Sequence, residues 1–93
     1  DTVDTQPGGA VKGVDDARTV IINGNTWVLP TLAELHALYN DPTVANPPAG
    51  WSSADFWSST QSGSGYHNLE VVYNGNQYRY NDTGTADVAF QVL

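Results

Sequence analysis

One stretch, Asn25-Thr26-Trp27-Val28-Leu29-Pro30-Thr31-Leu32-Ala33-Glu34-Leu35-His36-Ala37-Leu38-Tyr39, limits the fold more than any other part of the chain. Trp27, Val28 and Leu29 favour a strand, and Pro30 ends its ladder because it has no N–H to donate. Thr31 and Glu34 have the spacing of a capping box: the Thr31 hydroxyl accepts from the Glu34 N–H, and the Glu34 carboxylate accepts from the Thr31 N–H. Leu32, Leu35, Leu38 and Tyr39 recur at three- and four-residue spacing and predict a short helix with one apolar face. Asn40-Asp41-Pro42 ends it. A helix of about two to three turns is marginal in isolation, so a sheet has to cover that face.

The rest of the chain supplies the strands. Thr19-Val20-Ile21-Ile22, then Asn23-Gly24, then Asn25 to Leu29 form a hairpin pattern, because a type I′ turn needs positive φ at both central residues. That register sets Val20 opposite Trp27. The same reasoning applied to Leu69–Tyr73, Asn74-Gly75 and Asn76–Tyr80 pairs Leu69 with Tyr80, Val71 with Tyr78 and Glu70 with Arg79. A cross-strand ion pair of this kind contributes roughly 0.2–1 kcal/mol, and a one-residue slip would bury its charges. Asp55 to Thr60 and Asp87 to Leu93 are further strands, with Val88, Phe90 and Val92 alternating toward one side. Residues 1–17, which include Pro7-Gly8-Gly9, read as a linker or edge segment from a preceding domain, and residues 18–93 as the domain itself. The expected class is α+β, one helix packed on one side of about six short, mostly antiparallel strands.

Charge narrows the partners. Ten acidic residues against three basic ones leave a net charge of -7, which disfavours nucleic acid and anionic membranes, since both need clustered Lys and Arg. No apolar run approaches the ~18 residues of a membrane span. The N-terminus lacks the basic flank and apolar core of a signal peptide, so the chain reads as a mature protein or a piece of a longer one. With no cysteine, disulfides, thiolate metal sites and a cysteine nucleophile are excluded. The abundance of Asn, Gly, Ser, Thr and Tyr suits a secreted module.

The chemistry-bearing residues are sparse. His36 reads as a surface or half-buried helix residue, and His67 begins a strand beside the flexible turn Gln61–Gly65, where a partner could reach it. No nucleophile elbow, P-loop, dinucleotide fingerprint or His-Glu metal motif is present. Asp1, Asp4, Asp15 and Asp16 gather near the N-terminus while Asp55, Asp82 and Asp87 flank later strands, and none forms a calcium loop. The aromatic residues are the informative surplus. Trp27, Trp57, Tyr78 and Phe90 are expected in the core, whereas Trp51, Tyr66 and Tyr73 fall in or beside loops. Trp51, in the proline-rich segment 41–54, is either an anchor tucked under its loop or an exposed ring, and exposure of so large an apolar surface favours the anchor. Tyr, Asn, Ser and Gly on neighbouring loops make a surface suited to protein or sugar recognition.

Taken together, Trp27-Val28-Leu29-Pro30-Thr31, Glu34-Leu35, Leu38-Tyr39, Gly50-Trp51, Phe56-Trp57-Ser58-Ser59-Thr60 and Ser62-Gly63-Ser64-Gly65 resemble the C-terminal domain of bacterial invasin/intimin-type adhesins, over roughly residues 19–93. Similar motifs occur in a C-terminal domain of collagen-like bacterial surface proteins. The resemblance implies a compact C-type-lectin-like fold without the long calcium loop, at the tip of a rod of immunoglobulin-like domains displayed on the bacterial outer membrane. In that mapping Trp57 to Thr60 is the central strand and Gln61 to Gly65 replaces the calcium loop. Asn81-Asp82 is similar to the lectin Trp-Asn-Asp motif, but its Glu-Pro-Asn or Gln-Pro-Asp partner is missing, which argues against calcium-dependent sugar binding.

The reading that follows is a monomeric, non-catalytic, cofactor-free tip domain that binds a host surface or secreted protein and adjoins an upstream immunoglobulin-like domain. Its candidate binding residues are Trp51, Asp55, Tyr66, His67, Tyr73 and Asp82. The alternatives are a calcium-independent glycan-binding module and a structural cap that ends the rod.

Overall fold

The computed structural model describes residues 5–93. Asp1 and Asp4 lie outside the described residues. The elements are β1 (Thr5–Lys12), β2 (Thr19–Ile22), β3 (Asn25–Val28), α1 (Leu32–Asn40), β4 (Asp55–Gln61), β5 (Tyr66–Val71), β6 (Asn76–Asn81) and β7 (Thr85–Val92). The class is α+β, as the sequence predicts, with one helix, among the described residues, on a single, mostly antiparallel sheet of seven strands.

Sheet order runs β2-β3-β7-β4-β5-β6, with β1 on β7. The last strand is the junction. It pairs antiparallel with β1 from Thr85 to Gln91, antiparallel with β3 at Gln91 and Val92, and parallel with β4 at Asp87. Residues 5–12, within the stretch read as linker or edge segment, are thus a strand of this sheet, and Gly13 and Val14 continue onto the carbonyls of Gly84 and Asp82.

The strand–proline–helix unit forms as its residues dictate. Thr31 caps α1, its hydroxyl accepting from the Glu34 N–H at 3.2 Å while the Glu34 carboxylate accepts from the Thr31 N–H at 2.8 Å. Leu35 and Leu38 are buried against Trp51, Phe56, Val72 and Ala89. On the opposite face of the sheet Trp27, Leu29, Trp57, Leu69, Ala86, Val88 and Phe90 form a second core. The hydroxyl run after Trp57 joins the helix to the sheet. Thr60 Oγ1 accepts from the Leu32 N–H at 2.9 Å, satisfying an amide that the first helical turn leaves free, and the Ser59 N–H donates to the Pro30 carbonyl at 2.9 Å. Ser58 Oγ donates to the Asn68 carbonyl at 2.8 Å, where the β4–β5 register shifts.

The first hairpin has the predicted register, with Val20 opposite Trp27 and positive φ at both Asn23 (51°) and Gly24 (80°). The second does not. Val71 pairs with Asn76, Glu70 with Gln77, Leu69 with Tyr78 and Asn68 with Arg79, a shift of two residues that lengthens the loop to Val72–Gly75. The expected Glu70–Arg79 ion pair is therefore absent. Gln77 Nε2 donates to Glu70 at 2.8 Å, and the Arg79 guanidinium lies 3.9 Å over the Tyr66 ring. The physical reason is tertiary: Val72 is buried in the helix-side core and Gly75 lies against the Tyr39 ring, so both are drawn out of the ladder. Tyr78, expected in the core, is 40% exposed because β6 is an edge strand whose six residues are all exposed.

Candidate functional site

The loop before β4 is pinned from beneath. Trp51 is buried, its ring 4.9 Å from that of Phe56, and its N–H donates to the Pro48 carbonyl at 3.0 Å. It is the anchor of the loop and offers no ring to a partner, which corrects its place among the contact residues. With the tryptophan below, the following polar residues face out. Ser52 Oγ donates to Asp87 at 2.6 Å, and the Tyr78 hydroxyl donates to Asp55. Where β4 and β7 begin, Ser53, Asp55, Thr85 and Asp87, with Ala10 and Ala86, line an open cleft of about 310 Å³. That volume lies at the small end of ligand pockets. Desolvation of its hydroxyl and the neighbouring Asp55 carboxylate raise the pKa of Tyr78, so the phenol stays protonated and donates.

Tyr78 and Tyr80 project from the same face of β6 and extend this surface along the sheet edge. Tyr80 is 38% exposed, with its ring 5.7 Å from Trp57, and it lies against Gly84. Tyr73, 46% exposed, stands in the loop at the near end of the strand. On the opposite face Tyr66 is half-buried beneath Arg79.

His67 is buried between two carboxylates at the far end of β6. Nδ1 lies 2.7 Å from Asp82 and Nε2 lies 2.8 Å from Asp16. An ionised carboxylate can only accept, so the imidazolium, with both N–H groups donating, is the form that satisfies both partners. Burial alone would lower the His67 pKa, but the hydrogen bonds and charges of Asp82 and Asp16 outweigh it and raise the value above 6.5. This clasp fastens the turn after β1 to the turn before β7. His67 is thus a fastening residue with little surface to offer a partner, contrary to its place among the contact residues. On the helix side the fully buried Glu70 is held by Gln77 and, at 3.2 Å, by His36 Nδ1. Burial raises its pKa, and the contacts with Gln77 and His36 pull the other way.

Of the six predicted contact residues, Asp55 lines the cleft and Tyr73 is exposed in the loop before β6. His67 and Asp82 are joined in the clasp, Tyr66 packs under Arg79, and Trp51 is core. Tyr78, Tyr80, Ser52 and Asp87 were not among them. Their signal is the composition of Asn76-Gln77-Tyr78-Arg79-Tyr80-Asn81, which has no aliphatic residue on either face and so marks an edge strand with accessible rings.

Compared with known proteins, the chain matches no family model, no curated protein and no solved structure. Several of the motif residues singled out in the sequence have local structural duties here: Thr31 and Glu34 cap the helix, and Ser59 and Thr60 latch it to β4.

Proposed function

We propose that this domain is a non-catalytic recognition module of a bacterial surface adhesin, built on a compact C-type-lectin-like fold, that binds a host protein outside the cell without calcium. The observation that carries this reading is the pair of rings Tyr78 and Tyr80, 40% and 38% exposed, on one face of an edge strand beside a polar cleft, with Tyr73, 46% exposed, in the loop that precedes the strand. Tyrosine combines large contact area with few rotatable bonds and a hydroxyl that can bond at its far end, which suits protein interfaces. The supporting rings and carboxylates are held in place by Trp51 beneath and by the Tyr78–Asp55 and Ser52–Asp87 hydrogen bonds.

The test replaces Tyr73, Tyr78 and Tyr80 together by alanine and measures attachment of the folded domain to host cells and immobilised extracellular-matrix proteins. Attachment should drop sharply, and unchanged attachment would remove the reading. A second reading, a calcium-independent glycan site, is favoured by the cleft itself, where Asp55, Asp87, Ser53 and Thr85 offer hydrogen-bonding groups near the Tyr78 ring. Reproducible glycan-array binding that is lost in Asp55→Ala and Asp87→Ala would favour it over protein recognition.

A further inference from the structure

Among the described residues three strands lie at an edge of the sheet, and they differ in how they are protected. β1 carries Pro7 and a register irregularity between Pro7 and Gly9, both of which spoil an edge as a template. β2 has only four residues. β6 has six, with no proline, glycine or lysine and no register shift against β5. Its composition is favourable to pairing, since Tyr favours strands and its polar neighbours keep the edge wettable.

The outward groups of β6 follow from the ladder. The Asp82 N–H donates to the Gly65 carbonyl, so 65 and 82 are a hydrogen-bonded pair one step beyond Tyr66 and Asn81. Hydrogen-bonded and non-hydrogen-bonded pairs alternate in an antiparallel ladder. The main-chain groups of Asn76, Tyr78 and Tyr80 therefore turn inward to β5, and those of Gln77 and Arg79 turn outward, unpaired with any described strand.

We propose that β6 is a docking edge that takes up an extended, lysine- or arginine-bearing segment of a partner protein as an additional strand. This deepens the protein-recognition reading and rests on it. Charge selects the occupant. On the face that carries Tyr78 and Tyr80, Asp55 stands at one end and Asp16 and Asp82 at the other, where the two carboxylates exceed by one charge the His67 imidazolium between them. A second copy of this chain would bring the same acids and a net charge of -7 against them, which opposes self-pairing. A strand with basic side chains on alternate positions sets them on the face of the tyrosine rings, where those carboxylates stand, while its main chain pairs with Gln77 and Arg79 and its remaining side chains lie on the opposite face.

The test uses a labelled eight-residue peptide alternating lysine with valine or threonine, an analogue with glutamate for lysine, and an analogue N-methylated on alternate amides. Arg79→Pro removes an outward N–H without taking a ladder bond, whereas Arg79→Thr changes the side chain and keeps the amide. The lysine peptide should bind native protein and Arg79→Thr, slow amide exchange at Gln77 and Arg79, and lose about tenfold or more in affinity for Arg79→Pro. The N-methylated analogue should lose a similar factor on unaltered protein, a comparison independent of how well the proline variant folds. Equal loss in Arg79→Thr and Arg79→Pro, tight binding of the glutamate analogue, exchange protection centred on Thr19–Ile22, or no binding of the lysine peptide would each overturn the proposal. If folded Arg79→Pro still attaches to host surfaces while the triple tyrosine variant does not, strand addition is refuted and the recognition reading survives.

Discussion

Two hairpins of this molecule are closed by the same dipeptide and turn differently. At Asn23-Gly24 both residues take positive φ and the strands pair up to the turn, Ile22 opposite Asn25. At Asn74-Gly75 only the glycine does, and pairing stops at Val71 and Asn76. The first loop stands free, with nothing near the position of a Cβ on Gly24, while the Tyr39 ring would meet one on Gly75 at 2.6 Å. Asn-Gly thus specifies a two-residue turn where nothing else competes, and yields where the core claims Val72, two residues before it.

The largest expected effect breaks that claim. Val72→Asn should destabilise the fold by about 3 kcal/mol, from lost burial and an unsatisfied amide in the helix-side core. Ile21→Asn beside the first turn, at a site 76% exposed, should stay within about 0.5 kcal/mol. Midpoints of denaturant unfolding compare them; similar losses would mean that Val72 does not anchor the second loop.

Next comes the glycine pair. Gly75→Ala carries both the left-handed strain and the clash with Tyr39, and should cost about 2 kcal/mol or more, against about 1 kcal/mol for Gly24→Ala, where only the strain applies. Tyr39→Ala should narrow the gap between them. A gap that persists in that background would release Tyr39 from its role.

The far end of the second hairpin also titrates, through His67. Because its folded-state pKa is raised above 6.5, the clasp contributes fully below that pH, and its contribution is lost as pH rises through the folded value. Unfolding midpoints at about pH 6 and about pH 9 should show this loss, and His67→Gln should remove that component of the pH dependence. Replacing Ile22 or Asn25 in the first hairpin should leave it intact.

The smallest effects lie in the asparagines. Asn23→Ala should cost about 1 kcal/mol, since Asn23 itself sits at positive φ. Asn74→Ala should cost about 0.5 kcal/mol, for the hydrogen bond its side chain accepts from the Asn76 N–H. Reversal of that order would mean the two turns are not distinguished by backbone strain.

What could be read from sequence is what neighbours in the chain decide. The capping box of Thr31 and Glu34, the apolar face carrying Leu35 and Leu38, the Val20–Trp27 register and the alternation of Val88 and Phe90 are all set within a few residues. The site was less legible because its pairings span the chain. Asp16 meets His67 across 51 positions and Ser52 meets Asp87 across 35, and no local pattern announces either. The second register escaped for the same reason, since the burial of Val72 depends on Leu35, Leu38 and Trp51.

The place of β7 has a consequence for how the chain is made. The strand that joins β1, β3 and β4 is translated last among the elements, at Thr85–Val92. Until it leaves the ribosome, a nascent chain has the β2–β3 hairpin, the β4–β5–β6 meander and a short helix but no partner for β1 and no bridge from β3 to β4. Contacts that close over such long separations form late, so the sheet is knit only once β7 has joined its three neighbours.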